Sequence, residues 1–184
     1  QPLNENLVER DILGPAAILA PILNSSDEYG DWLRMQCARI TRIPCPLVAT
    51  HNDLTMWNIL RDGQGPIGII DWETGEPMGL PLVDFFYAMV DGVAATRNYN
   101  DRLKAFQACF IPGGTHEAAI RRLATTLKRA IPTVDGILEM SFHSCWLHHA
   151  ANEYRSTGES RGEFIKIVQW LATNRSNIAP WIRE

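Results

Sequence analysis

Long apolar runs are missing from this chain. The most hydrophobic early stretch, residues 12–23, is interrupted by Gly14, Pro15 and Pro21 and is too short to cross a bilayer, so no membrane span is expected. Close cysteine pairs are missing too. Cys37, Cys45, Cys109 and Cys145 are scattered, which argues against a zinc ribbon and a disulfide scaffold and for a reducing, cytoplasmic setting. There is no basic excess: 17 Lys and Arg against 21 Asp and Glu leave a net charge of -4. Without a cationic stripe to neutralise phosphates, DNA and RNA are poor partners. No charged leader with a cleavage site is present, so no signal peptide is read. A first residue of Gln rather than Met points to a chain that begins inside a longer product.

What is present suffices for a core. With 184 residues, 46% of them hydrophobic, the chain can close one domain or one large lobe, and no repeat or linker divides it. Residues 5–23 read as helical with a break at Gly14-Pro15. Residues 27–41 read as a helix capped by Ser26 and stopped by Pro44 and Pro46. The pattern then shortens into three apolar runs, "PLVAT", "NIL" and "IGIID", the last two joined by "RDGQG". That turn predicts a β-hairpin of residues 58–61 against 67–70. Its open end would bring Asn58 and Asp71 close in space. From Leu82 the apolar residues return to three- and four-residue spacing through Val93, and helices are expected at 99–110, 116–130, 133–155 and 161–174. The fold class is mainly α with a small β-hairpin.

Two short segments carry the chemistry: "THNDLTMWNIL", residues 50–60, and "IGIIDWE", residues 67–73. Moving a phosphoryl group off a nucleotide needs a carboxylate to receive the acceptor hydroxyl's proton and oxygen ligands for magnesium. Asp53 fits the base. Asn58, five positions on, offers a neutral oxygen, and Asp71 the anionic one that a hard cation prefers.

The Asp-to-Asn spacing in "HNDLTMWN", then "IIDWE", then "GLPLVDFFYA", resembles the aminoglycoside phosphotransferase and choline-kinase-like family, which shares the protein-kinase fold. The likeness covers residues 48–88. It implies that Asp53 is the catalytic base, that Asn58 and Asp71 hold Mg2+, and that His51 and Asp84 brace the loop, Asp84 by accepting its backbone N–H groups. It implies ATP or GTP as co-substrate and a small-molecule hydroxyl as acceptor, because the interval from Asp71 to Asp84 is too short for a peptide-carrying segment. Two departures stand out. Asn52 and Trp57 occupy positions where the family has glycine or proline, and Trp57 is placed to narrow or shield the acceptor pocket. Moreover, only 47 residues precede Val48, with no glycine-rich strand-turn-strand and no strand lysine paired with a helix glutamate. The likeness is therefore to a C-terminal lobe over residues 1–184 without its N-terminal nucleotide lobe: catalytic loop and metal strand at 48–73, helical acceptor-binding region at 81–184. A lobe cut from its mate should expose an apolar patch, expected here at residues 3–23 and available for self-association.

Other polar residues keep two readings each. Ser141, Cys145, His148 and Asn152, with Glu153 alongside, form a stripe on one helix. It either lines an acceptor pocket or makes an internal hydrogen-bonding seam. Its His and Cys residues do not offer the closed ligand set of a structural zinc. Glu73 and Glu76 suit an amine-bearing acceptor or are solvated loop charges. The six tryptophans read as core, except Trp57 and Trp72, which flank the proposed base and metal ligand and could contribute to an aromatic cage. The competing function is a catalytically silent lobe that binds a small molecule or a protein; a metal-dependent hydrolase would want more ligands near Asp71.

Overall fold

In the computed structural model, residues 3–23, 26–41, 43–131 and 136–183 are described. The chain is mostly helical, with nine α-helices among these residues and two small antiparallel sheets. The helices are α1 (Glu5–Val8), α2 (Gly14–Leu19), α3 (Ser26–Ile40), α4 (Val83–Ala95), α5 (Arg102–Phe110), α6 (Glu117–Ala130), α7 (Ile137–Thr157), α8 (Glu163–Asn174) and α9 (Pro180–Arg183). The strands are β1 (Val48–Thr50), β2 (Ile59–Arg61), β3 (Ile67–Ile69) and β4 (Glu76–Gly79). Among the described residues no helix is long and apolar enough to cross a membrane.

Helix α7 is the axis of the body. From Ile137 to Leu147 every residue but the half-buried Glu139 is buried, the signature of a helix enclosed by others, and α2, α4, α8 and α9 pack around it. Aromatic edges lock this core: the Phe142 ring meets Phe86 at 5.1 Å and 86° and Phe110 at 5.1 Å and 82°, and Trp146 meets Phe106 at 5.3 Å and 89°.

Several expected boundaries shift for physical reasons. Gly14-Pro15 does not break the first helix. A π-turn, Glu9–Leu13, joins α1 to α2, with the Gly14 N–H donating to the Glu9 carbonyl. Pro15 has no N–H to give the Asp11 carbonyl four residues back, and the Ser144 hydroxyl of α7 supplies that bond at 2.9 Å. The Ser26 side chain and Thr133 lie outside the described residues. Helix α5 starts at Arg102 rather than at 99, because Asn98, Tyr99 and Asp101 all take positive φ and Asp101 caps the helix by accepting the Lys104 N–H at 3.1 Å. The hairpin forms as read, with Ile59 opposite Ile69 and Arg61 opposite Ile67. Strand β4 was not foreseen in "GEPMGLP"; it pairs antiparallel with β1, Thr50 opposite Glu76. Gly79 permits that approach, since a Cβ there would lie 2.7 Å from the Thr50 methyl. The apolar patch expected at residues 3–23 is also corrected: Leu3, Leu7, Val8, Ile12, Leu19 and Leu23 are buried in the chain's own core. Exposed apolar side chains gather instead on the hairpin, at Leu60, Ile67, Ile69 and Ile70.

Candidate active site

The loop between β1 and β2 is held from beneath by helix α4. Both carboxylate oxygens of Asp84 accept backbone N–H bonds, from His51 at 2.7 Å and Asn52 at 2.8 Å. Asn52 has φ of 62°, a left-handed conformation that asparagine tolerates better than most residues. Its amide donates to the Thr74 carbonyl at 3.0 Å, and the Thr74 hydroxyl returns a bond to the His51 carbonyl at 3.0 Å. His51 is 1% exposed. Its Nε2 meets the Ile70 carbonyl at 2.7 Å and its Nδ1 the Asp53 N–H at 3.3 Å. A carbonyl only accepts and an amide N–H only donates, so the ring is neutral with the proton on Nε2. The histidine thereby links the loop to the end of β3. Trp72 closes over it, ring centroids 4.8 Å apart, with its own Nε1–H donating to the Ile69 carbonyl at 3.1 Å.

Asp53 is half-buried. Its Oδ1 accepts the Tyr87 hydroxyl at 3.2 Å. Its backbone carbonyl and Oδ2 face the Asn58 amide nitrogen at 2.8 and 3.4 Å. With that NH2 group turned to Asp53, the amide oxygen of Asn58 is the atom left for another partner. Burial pushes the Tyr87 phenol well above its usual range, and the nearby Asp53 and Asp91 carboxylates add to it, so Tyr87 stays a donor. Asp71 follows β3 with φ of 64°; its side chain is exposed and makes no hydrogen bond or ion pair among the described residues. The Ile70 N–H donates to the Asn58 carbonyl at 3.1 Å, so the hairpin ladder ends where Asn58 and Asp71 emerge. An amide oxygen and a carboxylate thus stand at the same end of the hairpin, the hard-oxygen donor types that Mg2+ takes along with waters. Among the described residues no three His, Cys, Asp or Glu side chains form a metal-holding group.

Beside the loop lies a cavity of about 390 Å3 bordered by Asn52, Thr74, Glu76, His148, Asn152 and Arg155, and by the π-turn. His148 and Asn152 are bonded at 3.0 Å, and burial lowers the His148 pKa. Arg10 bridges Asp11 at 2.5 Å and Glu76 at 3.1 Å, so two of the cavity's carboxylates share one cation, with Glu9 also on the lining. The remaining residues proposed for the acceptor do not line it. Glu153 is a correction: its carboxylate accepts the N–H groups of Glu163, Phe164 and Ile165 at 2.9 to 3.0 Å and so caps the start of α8 from α7. Trp57, 76% exposed, borders a shallow groove with Met56, Ala95, Asn98 and Tyr99 instead. Glu73 stands exposed in the turn after Asp71, and Trp72, itself about half exposed, packs one side of its ring on His51.

Two residues of this site escaped the sequence reading. Tyr87 and Asp91 share α4 with Asp84 at three- and seven-residue intervals, spacings that also mark core positions. Asp91 is fully buried and accepts the Met56 N–H at 2.8 Å. The available signal was an acid inside an apolar helix, a placement that demands partners.

No curated protein and no solved structure matches the chain. The profile of the phosphotransferase enzyme family, however, matches residues 23–123, just over half of the sequence and the whole of the loop, hairpin and α4 just described. The chain belongs to that aminoglycoside phosphotransferase-like family.

Proposed function

We propose that this chain is the helical C-terminal lobe of a kinase-like phosphotransferase that moves the γ-phosphoryl group of ATP or GTP to a hydroxyl of a small molecule. The observation that carries this reading is the double anchorage of Asp53: Tyr87 holds one carboxylate oxygen and Asn58 the other, beside a hairpin mouth that presents Asn58 and Asp71. Phosphoryl transfer is mostly positioning and charge neutralisation, and this is a site built to position. Asp53 orients the acceptor hydroxyl and takes its proton as the oxygen attacks. Asn58 and Asp71 would hold Mg2+, which neutralises charge on the β- and γ-phosphates. His51, locked between Ile70 and the Asp53 N–H, keeps the loop and the metal strand in register, and Asp84 fixes the loop's entry. The acceptor would lie in the cavity of Asn52, Thr74, His148 and Asn152.

The hairpin face that carries Ile67 and Ile69, 64% and 40% exposed, supports a nucleotide-side partner lying beyond these residues. Titration calorimetry of Mg·ATP and Mg·GTP on the 184-residue chain, with Asp71→Asn as control, tests the reading. Binding that the substitution abolishes is the expected result. No binding by either protein would shift the assignment to a silent module that recognises a small molecule or a protein. In the complete phosphotransferase, an unchanged turnover number in Asp53→Asn would remove Asp53 as the base.

A further inference from the structure

Asp91 lies outside the sequence motifs quoted above, yet it is the most enclosed carboxylate of the site, at 0% exposure. Its Oδ2 takes the Met56 N–H at 2.8 Å, and its Oδ1 meets the Arg102 guanidinium at 3.2 Å. Asp84, Tyr87 and Asp91 lie on one stripe of α4, two helical turns or about 10 Å from end to end. Asp84 holds residues 51 and 52, Tyr87 the Asp53 side chain, and Asp91 residue 56. The helix thus acts as a ruler against which the loop is laid out.

Arg102 is itself held from several sides. Its guanidinium carbon sits 5.1 Å from the Tyr99 ring centroid and 4.8 Å from that of Phe164, and its backbone N–H donates to Glu163 at 3.1 Å. Phe164 stacks on His149 at 5.1 Å, His149 on Tyr87 at 3.9 Å and 14°, and Tyr87 bonds Asp53. The contacts close a ring that leaves the loop at Asp53 and re-enters it at Met56, passing through α4, α7, α8 and α5.

We propose that Asp91, paired with Arg102, is a positioning residue for phosphoryl transfer: it fixes the Met56 end of the loop so that Asp53 and Asn58, on either side, keep their mutual geometry. This rests on the phosphotransferase reading, and the test separates the two. Amide hydrogen exchange on the 184-residue chain would compare wild type with Asp91→Ala, Asp91→Asn and Arg102→Met. The Met56 amide should exchange about tenfold faster or more in Asp91→Ala while amides of α7 keep their protection. Asp91→Asn retains an oxygen for Met56 and should recover part of the difference. Should Asp91→Ala not fold, Arg102→Met decides, and unchanged exchange over residues 53–58 in that variant overturns the proposal. In steady-state ATP hydrolysis, with water as acceptor, Asp91→Asn should lower kcat by about tenfold with KM for Mg·ATP within about twofold. Equal loss in both parameters would also overturn it. A wild type that neither binds nor hydrolyses Mg·ATP would count against the phosphotransferase reading, leaving exchange at Met56 to decide the role of Asp91.

Discussion

The helical body and the loop-hairpin segment, residues 48–79, follow opposite rules of burial. In the body, apolar means enclosed: Phe86, Phe106, Phe142 and Trp146 are 0% exposed. In the segment, Leu60 is 50% exposed, Ile67 64% and Trp57 76%, while His51 and Thr50 are buried at 1% and 3%. A stretch that hides its polar groups and shows its apolar ones is not organised by the hydrophobic effect acting within the chain. Its polar interior is organised by hydrogen bonds to α4 and β3, and its apolar exterior stands outside the chain's own core. The body supplies stability; the segment uses it.

The sharpest way to break that contrast is to cut into the body. Phe142→Ala removes the ring at the centre of the aromatic cluster and should cost about 3–5 kcal/mol, visible as a lower denaturant midpoint of a single cooperative transition. Next in size is Asp84→Ala, which leaves the N–H groups of His51 and Asn52 without their acceptor. About 2–3 kcal/mol is expected, read in the same titration. Here the loss should be partly local, with exchange at residues 51–53 rising ahead of that in α7. Equal global destabilisation by both substitutions would erase the distinction between body and segment.

A third, smaller effect concerns the histidines of α7. Burial holds His143 down to about 3 and lowers His148 and His149 as well. In the unfolded chain these rings take up protons near pH 6.5. Their folded pKa values being depressed, the unfolded state binds more protons below that point. Stability is therefore full above about pH 6.5 and falls as pH drops toward the folded values. The thermal midpoint should decline from pH 7 to pH 5, and His143→Phe should flatten part of the decline. A profile unchanged in that variant would mean that His143 is not held neutral by the fold.

The same contrast explains which parts of the structure were legible in the sequence. Order and type of the long helices followed from apolar spacing, and the hairpin from a turn between two short runs. Both are local signals. Strand β4 was not local: "EPMG" has no alternation, and its pairing with β1 depends on Gly79 meeting Thr50. The stripe on α7 could be assigned a face but not a neighbour. Glu153 consequently stayed open between pocket lining and an internal hydrogen-bonding seam, and the seam is what forms, with α8 folding back to place its N-terminus on that carboxylate. Likewise Asp84 stood out through a motif, whereas Tyr87 and Asp91, at core-like spacing on the same helix, needed the loop above them to acquire meaning.

The smallest expected effect is the most informative about the segment's exterior. Ile67 lies across the ladder from Arg61, and its side chain is nearly two-thirds exposed. Ile67→Ser should therefore change folding stability by no more than about 0.5 kcal/mol. If the hairpin surface is the floor on which the nucleotide side of the complete enzyme rests, the substitution instead weakens Mg·ATP binding or, in the 184-residue chain, lessens a tendency to associate through that face. Calorimetry and sedimentation on the two proteins separate these effects. A stability loss like that of Phe142→Ala would show that the hairpin belongs to the body's core after all. A change confined to binding or association would show that apolar side chains here serve a surface that the chain does not bury by itself.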